Sequence, residues 1–224
     1  MKLYMHPVSM TSRPVRLFIQ ENGICCEEEL VDLMVGQHQQ PAFVAINPNR
    51  LVPVLEDGDL RLTECSAILK YLADEIDSPT YPKDSKERAK VNELMDWFNT
   101  NFYRDFGYGL VYPQIFAHQR RPSDEVQRAT ITWGAERAKN WLVILDQHWL
   151  GPSRAYLRGD TITIADYLGS SLVTLGETIR FDFAPFPHVR RWLGNMKKLR
   201  SWVPVNEHFY GFADTMQGQS FVTA

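Results

Sequence analysis

One change in the pattern of apolar residues constrains the fold more than any other feature of this sequence. In residues 1–77, short apolar runs alternate with segments whose apolar residues recur at helical spacing. In residues 86–224, almost every apolar pattern has helical spacing. The intervening residues 78–85 include Pro79 and Pro82, and prolines at this density are typical of a linker. The sequence therefore predicts a mixed α/β domain, a linker and an all-helical domain.

The first domain is predicted to follow the order β-α-β-α-β-β-α. Residues 3–5 and 24–31 are the first two strand candidates, and Gly23 ends the helix between them. Asp57-Gly58 separates two further apolar runs, and such a pair favours the tight turn of a hairpin. A strand–helix–strand unit implies a parallel strand pair, while a hairpin adds antiparallel strands. The expected fold class is therefore α/β followed by all-α.

Charge and composition exclude several classes of function. The chain has 24 Lys and Arg against 27 Asp and Glu, a formal net charge of -3, and no basic block, so nucleic acid and anionic membranes are not expected partners. The longest apolar runs, such as residues 141–145, are too short to span a bilayer, and no leader segment is evident at the start. Cys25, Cys26 and Cys65 lack the spacing of a disulfide framework or a zinc site. We expect a cytoplasmic protein without a metal.

The loop between the first strand and the first helix holds the first candidate for chemistry. Ser9 lies just before this helix, whose first turn Pro14 suits. The free amides and the positive end of a helix stabilise an anion such as a thiolate. Ser9 and Ser12 are three residues apart, where a thiol–disulfide oxidoreductase of this topology would have two cysteines. Alternatively, Ser9, Thr11 and Ser12 are only turn and cap residues.

Two further segments of the first domain offer backbone groups to a ligand. If the Val52–Pro53 bond is cis, Val52 would be held extended with its backbone groups facing a ligand; an ordinary strand entry is the alternative. Residues 63–66 open a helix directly after a strand, where free amides bind a carboxylate. Within this segment Glu64 could hold an ammonium group. A simple capping cluster is the alternative.

His38 and Arg50, in the connection between the second and third strands, add further donors. Each taken alone is more often a solvated surface residue. Together with Ser9 and the two backbone segments, they predict one ligand site with four kinds of group. These are a hydroxyl beside a thiolate, backbone amides for a carboxylate, a partner for an amine and a second positively charged region. The ligand that fits is a small thiol peptide with two carboxylates and one amine.

The sequence resembles the glutathione transferases of the cytosolic type over essentially its whole length. The densest match is Asn47-Pro48, Val52-Pro53-Val54-Leu55-Glu56-Asp57-Gly58, Leu62-Thr63-Glu64-Cys65-Ser66-Ala67-Ile68 and Tyr71-Leu72-Ala73. In the second domain, Thr163-Ile164-Ala165-Asp166 resembles the N-capping box of the family. Residues 31–38, and a serine before Arg13, are most similar to the theta and delta classes. The resemblance implies a thioredoxin-like first domain and a helical domain that forms the electrophile pocket.

The resemblance also implies a role for each candidate residue. Ser9 matches the serine whose hydroxyl donates to the glutathione sulfur, with Ser12, Thr11 and Tyr4 as the other candidates. The implied glutathione-binding residues are His38, Arg50, Leu51, Val52, Pro53, Glu64, Cys65 and Ser66. The implied pocket residues are Met10, Thr11, Tyr103, Arg104 and Tyr108. Arg104 is expected to stabilise a leaving anion, and the tail with Phe209, Tyr210 and Phe212 either covers the pocket or packs on the helices.

Cys65 departs from the pattern of the family, which has a serine at this position. The backbone N–H of Cys65 can still bind a carboxylate, but its S–H is a weaker donor than a hydroxyl. Three readings are open: Ser66 takes over the contact, glutathione binds less tightly, or the thiol at the helix start is reactive.

The function implied by the resemblance is a detoxification enzyme, active as a homodimer. It would conjugate glutathione, its co-substrate, to small hydrophobic electrophiles, with or without release of halide, and would need no metal. Two alternatives remain open at this point. One is glutathione-dependent disulfide reduction, and the other is non-catalytic binding of glutathione or a hydrophobic ligand.

Overall fold

A four-stranded sheet forms the base of the first domain in the computed structural model, which describes residues 1–223. Its strands are β1 (Lys2–Met5), β2 (Glu27–Leu30), β3 (Val54–Asp57) and β4 (Leu60–Leu62). Their order is β2-β1-β3-β4, with β1 parallel to β2 and the other pairs antiparallel. The predicted strand–helix–strand unit and hairpin are therefore confirmed. The second strand is shorter than the predicted residues 24–31, because β1 begins at Lys2, which pairs with Glu27.

The edge strand β2 carries three consecutive glutamates, each with a cation nearby. The ammonium group of Lys2 lies 3.6 Å from the Glu27 carboxylate and 3.3 Å from that of Glu29. The Glu28 carboxylate lies 2.9 Å from the guanidinium of Arg16 on the neighbouring helix. Side chains alternate between the two faces of a strand, so the pairing cations come from opposite sides of the sheet.

Three helices complete the first domain and position its loops. They are α1 (Ser12–Asn22), α2 (Pro41–Val44) and α3 (Cys65–Glu75). As predicted, α1 ends at Gly23, whose φ of 64° satisfies the left-handed geometry of a helix C-terminus. The same helix contacts α3 within its own domain and α7 (Ile164–Thr174) and α9 (Trp202–Asp214) of the second domain. The loop that precedes α1 therefore lies at the junction of the domains.

The second domain is helical, as predicted. Its other helices are α4 (Ser85–Trp97), α5 (Tyr112–Ile115), α6 (Asp124–Ile144) and α8 (Pro187–Met196). The chain passes from α4 to α5 through wide π-type turns, Phe98–Phe102 and Arg104–Val111, and α6 continues through a similar segment, Leu145–Leu150. Short 3₁₀ turns lie at Gln37–Gln39, Ala117–Gln119 and Leu175–Ile179. Along residues 1–223, no helix combines the length and the apolarity that crossing a bilayer requires.

Local capping residues define where two of these helices begin. The Asp84 carboxylate accepts hydrogen bonds from two amides of the first turn of α4, which places the helix start at the end of the predicted linker. Thr163 and Asp166 form a complete capping box at the start of α7, as the sequence predicts. The buried Asp166 carboxylate also accepts from the indole of Trp192 at 2.9 Å, which ties this helix start to α8.

One connected apolar core joins the two domains. It extends from Leu3 and Phe18 in the first domain to Phe98 and Trp192 in the second, and all four side chains are fully buried. Because this cluster includes residues of both domains, they meet as two halves of one core. The open space at their junction is the candidate functional site.

Candidate active site

A cavity of about 330 Å³ lies between the loop that precedes α1 and the aromatic segment that follows α4. This volume is in the range of small-molecule sites. Of the residues singled out from the sequence, those that line it are Ser9, Met10, Thr11, His38, Arg50, Leu51, Val52, Tyr103, Tyr108, Phe209 and Phe212. The structure thus brings residues from distant parts of the chain, and from both domains, to one site.

Ser9 lies in the turn before α1 and lines the cavity. Its Oγ accepts a hydrogen bond at 3.2 Å from the backbone N–H of Ser12, the first residue of the helix. That bond uses a lone pair and leaves the hydroxyl proton of Ser9 available as a donor. Hydrogen bonds in a chain polarise one another, so the amide of Ser12 makes the Ser9 hydroxyl a better donor. The two alternatives for Ser9, turn residue and donor, are therefore compatible.

Thr11 links the Ser9 loop to the strand-entry segment of the first domain. Its Oγ1 lies 3.1 Å from Ser9 Oγ and donates to the backbone carbonyl of Val52 at 2.9 Å. The Val52–Pro53 peptide bond is cis. This is the condition under which the sequence predicts that the backbone groups of Val52 face a ligand. Because the single proton of the Thr11 hydroxyl goes to Val52, Thr11 accepts the proton of Ser9 in their contact. The Ser9 hydroxyl can turn from Thr11 to a ligand without losing a backbone partner, whereas Thr11 would lose its bond to Val52.

The other hydroxyl candidates lie elsewhere. Ser12 is fully buried, and its Oγ accepts from the N–H of His6 at 3.4 Å. The hydroxyl of Tyr4 donates to the Glu56 carboxylate at 3.0 Å. Neither residue lines the cavity. Geometry therefore favours Ser9 over Ser12 and Tyr4.

The second predicted binding segment is the start of α3. Its residues Glu64, Cys65 and Ser66 do not line the cavity. Glu64 is exposed and has a φ of 56°, a left-handed conformation that is uncommon for a residue with a side chain. Cys65 is buried in the apolar core, and burial raises the pKa of its thiol. A thiol that keeps its proton is a poor nucleophile. The structure therefore argues against a reactive Cys65 and leaves partly buried Ser66 as the adjacent hydroxyl.

His38 and Arg50 line the cavity near its polar end. Nδ1 of His38 is buried without a hydrogen-bond partner, so it is an unused polar atom at the site. Burial, followed by the nearby His118, lowers the pKa of His38, which makes the imidazole neutral at physiological pH. The guanidinium of Arg50 is exposed and donates to the Gln39 side chain at 3.2 Å. Arg50, and not His38, therefore supplies the second positive charge that the sequence predicts for the ligand site.

Arg104 does not line the cavity, contrary to the expectation from the sequence. Its guanidinium binds the buried carboxylate of Asp105, with Nε 2.8 Å from Oδ1, and its side chain is 54% exposed. Arg137 and Trp141 donate to the same carboxylate at 2.9 and 2.7 Å. Helical periodicity places residues 103 and 104 on different faces, and the face of Tyr103 is the one that meets the cavity. Arg104 therefore has a structural partner and no access to a leaving anion in this cavity.

Several residues that line the cavity were not singled out from the sequence. They include His6, Tyr112, Phe116, His118, Leu175 and Thr178. Phe209 and Phe212 of α9 also line it, whereas Tyr210 packs against Trp202. The tail helix therefore both covers the pocket and packs on the other helices. Tyr112 and Phe116 follow Tyr103 and Tyr108 in one stretch of chain that is rich in aromatic residues, which is the signal that could have identified them.

Two kinds of group are not found at the cavity in the described part of the chain, namely a cluster of metal-ligating side chains and a cysteine. Among residues 1–223, no group of three or more His, Cys, Asp or Glu side chains is arranged to hold a metal ion. No cysteine of the described chain lines the cavity. What the site does offer is a hydroxyl donor at a helix start, the backbone of Val52 before a cis proline, and a wall that includes aromatic side chains.

Comparison with known proteins places the whole chain in one family. Residues 1–74 match the family model "Glutathione S-transferase, N-terminal domain", and residues 134–199 match "Glutathione S-transferase, C-terminal domain". Human glutathione S-transferase theta-2 is 33% identical over 205 residues, which cover 88% of this chain and 80% of the relative.

Solved structures agree with this assignment. A structure of human glutathione transferase theta-2, in complex with glutathione and an unknown ligand, superposes with a TM-score of 0.85 at 28% identity, covering 99% of this chain and 92% of that one. A delta-class glutathione transferase of Nilaparvata lugens has a TM-score of 0.81 at 31% identity, covering 96% and 98%. Both classes are those that the sequence resembles. The chain therefore belongs to the glutathione S-transferase family, as a theta- or delta-like member of the cytosolic type.

Proposed function

We propose that the protein conjugates glutathione to small apolar electrophiles and that Ser9 stabilises the glutathione thiolate. The observation that carries the proposal is the position of the Ser9 hydroxyl, which lines the cavity beside the start of α1 and donates to the Thr11 hydroxyl rather than to a backbone group. The theta-class relatives favour conjugation over disulfide reduction and over non-catalytic binding.

The stabilisation required is within the reach of one hydroxyl and one helix start. A free thiol has a pKa of about 8.5, and lowering this by about two units requires roughly 2.7 kcal/mol. A hydrogen bond to a charged group contributes roughly 1.5–3 kcal/mol, and a helix N-terminus adds roughly 0.3–1 kcal/mol. The two contributions together suffice. Holding the electrophile beside the thiolate supplies the remaining acceleration.

The other parts of glutathione are assigned to groups that the fold presents near Ser9. We assign the cysteinyl backbone to Val52 and the glycine carboxylate to His38 and Arg50, both of which line the cavity with Leu51. The γ-glutamyl end is assigned to the start of α3, where the backbone amides of Cys65 and Ser66 and the carboxylate of Glu64 suit its two charges. The buried thiol of Cys65 is not part of this assignment.

Ser9→Ala tests the central assignment. We expect turnover to fall by roughly tenfold to a hundredfold, because the loss of one hydrogen bond to a charged sulfur is worth about 1.5–3 kcal/mol. Glutathione should still bind, since its other contacts are unchanged. Steady-state kinetics with a halogenated aromatic substrate, calorimetry with glutathione, and the ultraviolet absorbance of the bound thiolate against pH measure these effects.

Ser12→Ala is the matched control. It removes a hydroxyl three residues away that is buried and does not line the cavity, so the pKa of the bound thiol should not change. If Ser9→Ala leaves that pKa and the turnover unchanged, Ser9 is not the thiolate donor, and Thr11 becomes the candidate.

We also propose that the enzyme is a cytoplasmic homodimer with a role in detoxification. The resemblance to the family supports all three statements. Sedimentation equilibrium gives the oligomeric state directly, and a monomer at micromolar concentration would contradict the dimer.

A further inference from the structure

The imidazole of His6 is a buried polar group at the cavity with one nitrogen that the described chain does not use. His6 follows β1 directly, is only 7% exposed, and lines the cavity together with Ser9. Its Nδ1 accepts a hydrogen bond from the backbone N–H of Val8 at 3.3 Å. Within residues 1–223, Nε2 has no hydrogen-bond partner and is not enclosed by protein atoms. Because the residue is otherwise buried, the space that Nε2 meets is the cavity.

The bond from Val8 fixes which nitrogen of His6 carries the proton. An amide N–H can donate only to an unprotonated nitrogen, so Nδ1 is the acceptor and Nε2 holds the proton of the neutral ring. Burial lowers the pKa of His6 below its ordinary value, which keeps the ring neutral at physiological pH. Four nearby groups also act on this pKa: Asp32 raises it, and His208, Arg16 and His38 lower it. His6 therefore presents an N–H donor, and not a base, to the cavity.

One turn of the chain contains both His6 and the proposed thiolate donor. The N–H of Ser9 donates to the carbonyl of His6 at 3.0 Å, which closes the four-residue turn 6–9. The bond from Val8 to Nδ1 holds the imidazole back against the same turn. A ligand atom bound at the Ser9 hydroxyl therefore lies beside the imidazole.

From these observations we propose that the Nε2–H of His6 donates a second hydrogen bond to the sulfur of bound glutathione. This inference rests on the proposed function, in which the Ser9 hydroxyl donates the first. A thiolate sulfur has three lone pairs, so it can accept from both donors at once. Because Nε2 already holds a proton, the proton that the thiol loses passes to water and not to His6.

The position of His6 favours the sulfur over the leaving group of the electrophile as the acceptor. In a substitution at saturated carbon, the leaving group departs on the side opposite the attacking sulfur. His6 and Ser9 belong to one turn, on the side of the sulfur. A departing group would therefore move away from both donors, whereas the sulfur stays beside them.

Two variants of His6 separate the roles of its two nitrogens. Asparagine places a carbonyl near the position of Nδ1 and keeps the bond to Val8, but has no donor near Nε2; glutamine places an amide N–H near Nε2. The ultraviolet absorbance of the thiolate against pH, at saturating glutathione, measures the pKa of the bound thiol. We expect His6→Asn to raise this pKa by about one to two units, as for the loss of a hydrogen bond to a charged group, and His6→Gln to restore most of the difference.

The combination of His6→Asn with Ser9→Ala should bring the pKa of the bound thiol close to about 8.5, the value of a free thiol. Ser9→Ala alone should leave it lower, because the second donor remains. His208→Asn is the matched control, since it removes a neighbouring histidine that is exposed and does not line the cavity. The pKa of the bound thiol should not change in this control.

Nitrogen-15 NMR of the wild-type imidazoles tests the same contact without a variant. We expect His6 to be the Nε2–H tautomer, and the resonance of this proton to move downfield with glutathione but not with S-methylglutathione, which cannot form a thiolate. An unchanged thiol pKa in His6→Asn, or an equal response of the His6 proton to both ligands, would overturn the proposal.

These outcomes separate the role of His6 from the proposed function. If His6→Asn has no effect while Ser9→Ala raises the pKa of the bound thiol, the proposed function stands without His6. If wild type does not bind glutathione, or conjugates no electrophile, the proposed function is wrong as well.

Discussion

At the scale of single residues, the imidazole of His6 gives the protein a measurable pH dependence. Its Nδ1 accepts a hydrogen bond from the N–H of Val8 at 3.3 Å, which requires an unprotonated nitrogen. Burial lowers the pKa of His6 below its ordinary value. In the unfolded chain a histidine binds its proton near pH 6.5. The unfolded state therefore binds more protons below that pH, and the free energy of unfolding decreases as the pH falls.

His6→Asn isolates this effect, because the asparagine carbonyl can accept the same amide but does not titrate. Between about pH 7.5 and about pH 5.5, we expect wild type to lose up to roughly 1.4 kcal/mol of stability relative to the variant. Urea denaturation at the two pH values measures the difference. Parallel pH dependence of wild type and variant would show that His6 is not the group responsible.

The three cysteines should differ sharply in their reaction with a chromogenic aryl disulfide. Cys25 is exposed, burial raises the pKa of Cys26 to about 11, and Cys65 is buried in the core. Since thiolates are the reactive species, we expect one rapid reaction in the native protein, which Cys25→Ala abolishes. Peptide mapping that located rapid labelling at Cys65 would instead support the reactive thiol left open by the sequence.

At this scale the sequence indicates Ser9 as a candidate because it precedes a helix with Pro14 in its first turn, and the structure places Ser9 in the cavity wall. Its role towards the thiolate stays a prediction. Arg104 was misplaced because the spacing of residues does not reveal that Asp105 is a buried partner beside it. The burial of Arg13 had no signal, since arginine is normally a surface residue.

At the scale of elements, two glycines allow the helices of the second domain to cross closely. A Cβ on Gly134 of α6 would lie 2.5 Å from the backbone of Gly109, in the wide turns before α5. Gly134→Ala should therefore destabilise the protein by roughly 1–3 kcal/mol through overpacking, despite the better helix propensity of alanine. Thermal or urea unfolding measures this.

Gly194→Ala is the matched control. Gly194 lies in α8 with open space around its Cα, so alanine should stabilise the protein by up to about 1 kcal/mol. If both alanine variants were stabilised alike, the close crossing at Gly134 would be disproved.

The order of strands and helices in the first domain was predictable because each has its own local signal: Gly23 for a helix end, Asp57-Gly58 for a turn, and the Thr163–Asp166 box for a helix start in the second domain. The wide π-type turns between Phe98 and Val111 could not be predicted in this way. An extra residue in one turn leaves apolar spacing almost unchanged, and only the glycines of this segment indicate an irregular helix.

At the scale of the whole molecule, Arg13 binds the two domains to each other. It is completely buried, with Nε 2.6 Å from the Asn206 amide oxygen, Nη2 3.1 Å from the Thr174 hydroxyl, and its guanidinium carbon 3.7 Å from the centre of the Phe209 ring. Within residues 1–223 it pairs with no carboxylate. Burial lowers its pKa to about 10, so it is still charged at neutral pH. Neutral dipoles and an aromatic face therefore stabilise this cation.

Arg13→Lys should lower the free energy of unfolding by roughly 2–4 kcal/mol. A planar guanidinium donates to several acceptors simultaneously, whereas an ammonium group cannot reach all of them, so buried polar groups would be left unpaired. Arg128→Lys, at an exposed position of α6, should change stability by less than about 0.5 kcal/mol. Because the domains share one core, we expect a single urea transition in both variants. A cost at Arg13 no larger than at Arg128 would rule out this role.

The cavity itself could be predicted only through the family resemblance. Each domain contributes part of the wall, and the sequence pattern of one domain contains no information on how the other packs against it. His118, Leu175 and Thr178 reach the site through that packing alone.

The row of acidic side chains along β2 has a consequence for the behaviour of the protein at high concentration. This strand ends the sheet, so its outer backbone groups are open to another strand. A second copy that approached edge to edge would bring its own Glu27, Glu28 and Glu29 against the same three residues. Lys2 and Arg16 reduce the repulsion between the two rows but do not cancel it, since each row has three carboxylates and two nearby cations. The remaining repulsion would oppose fibril growth through this edge.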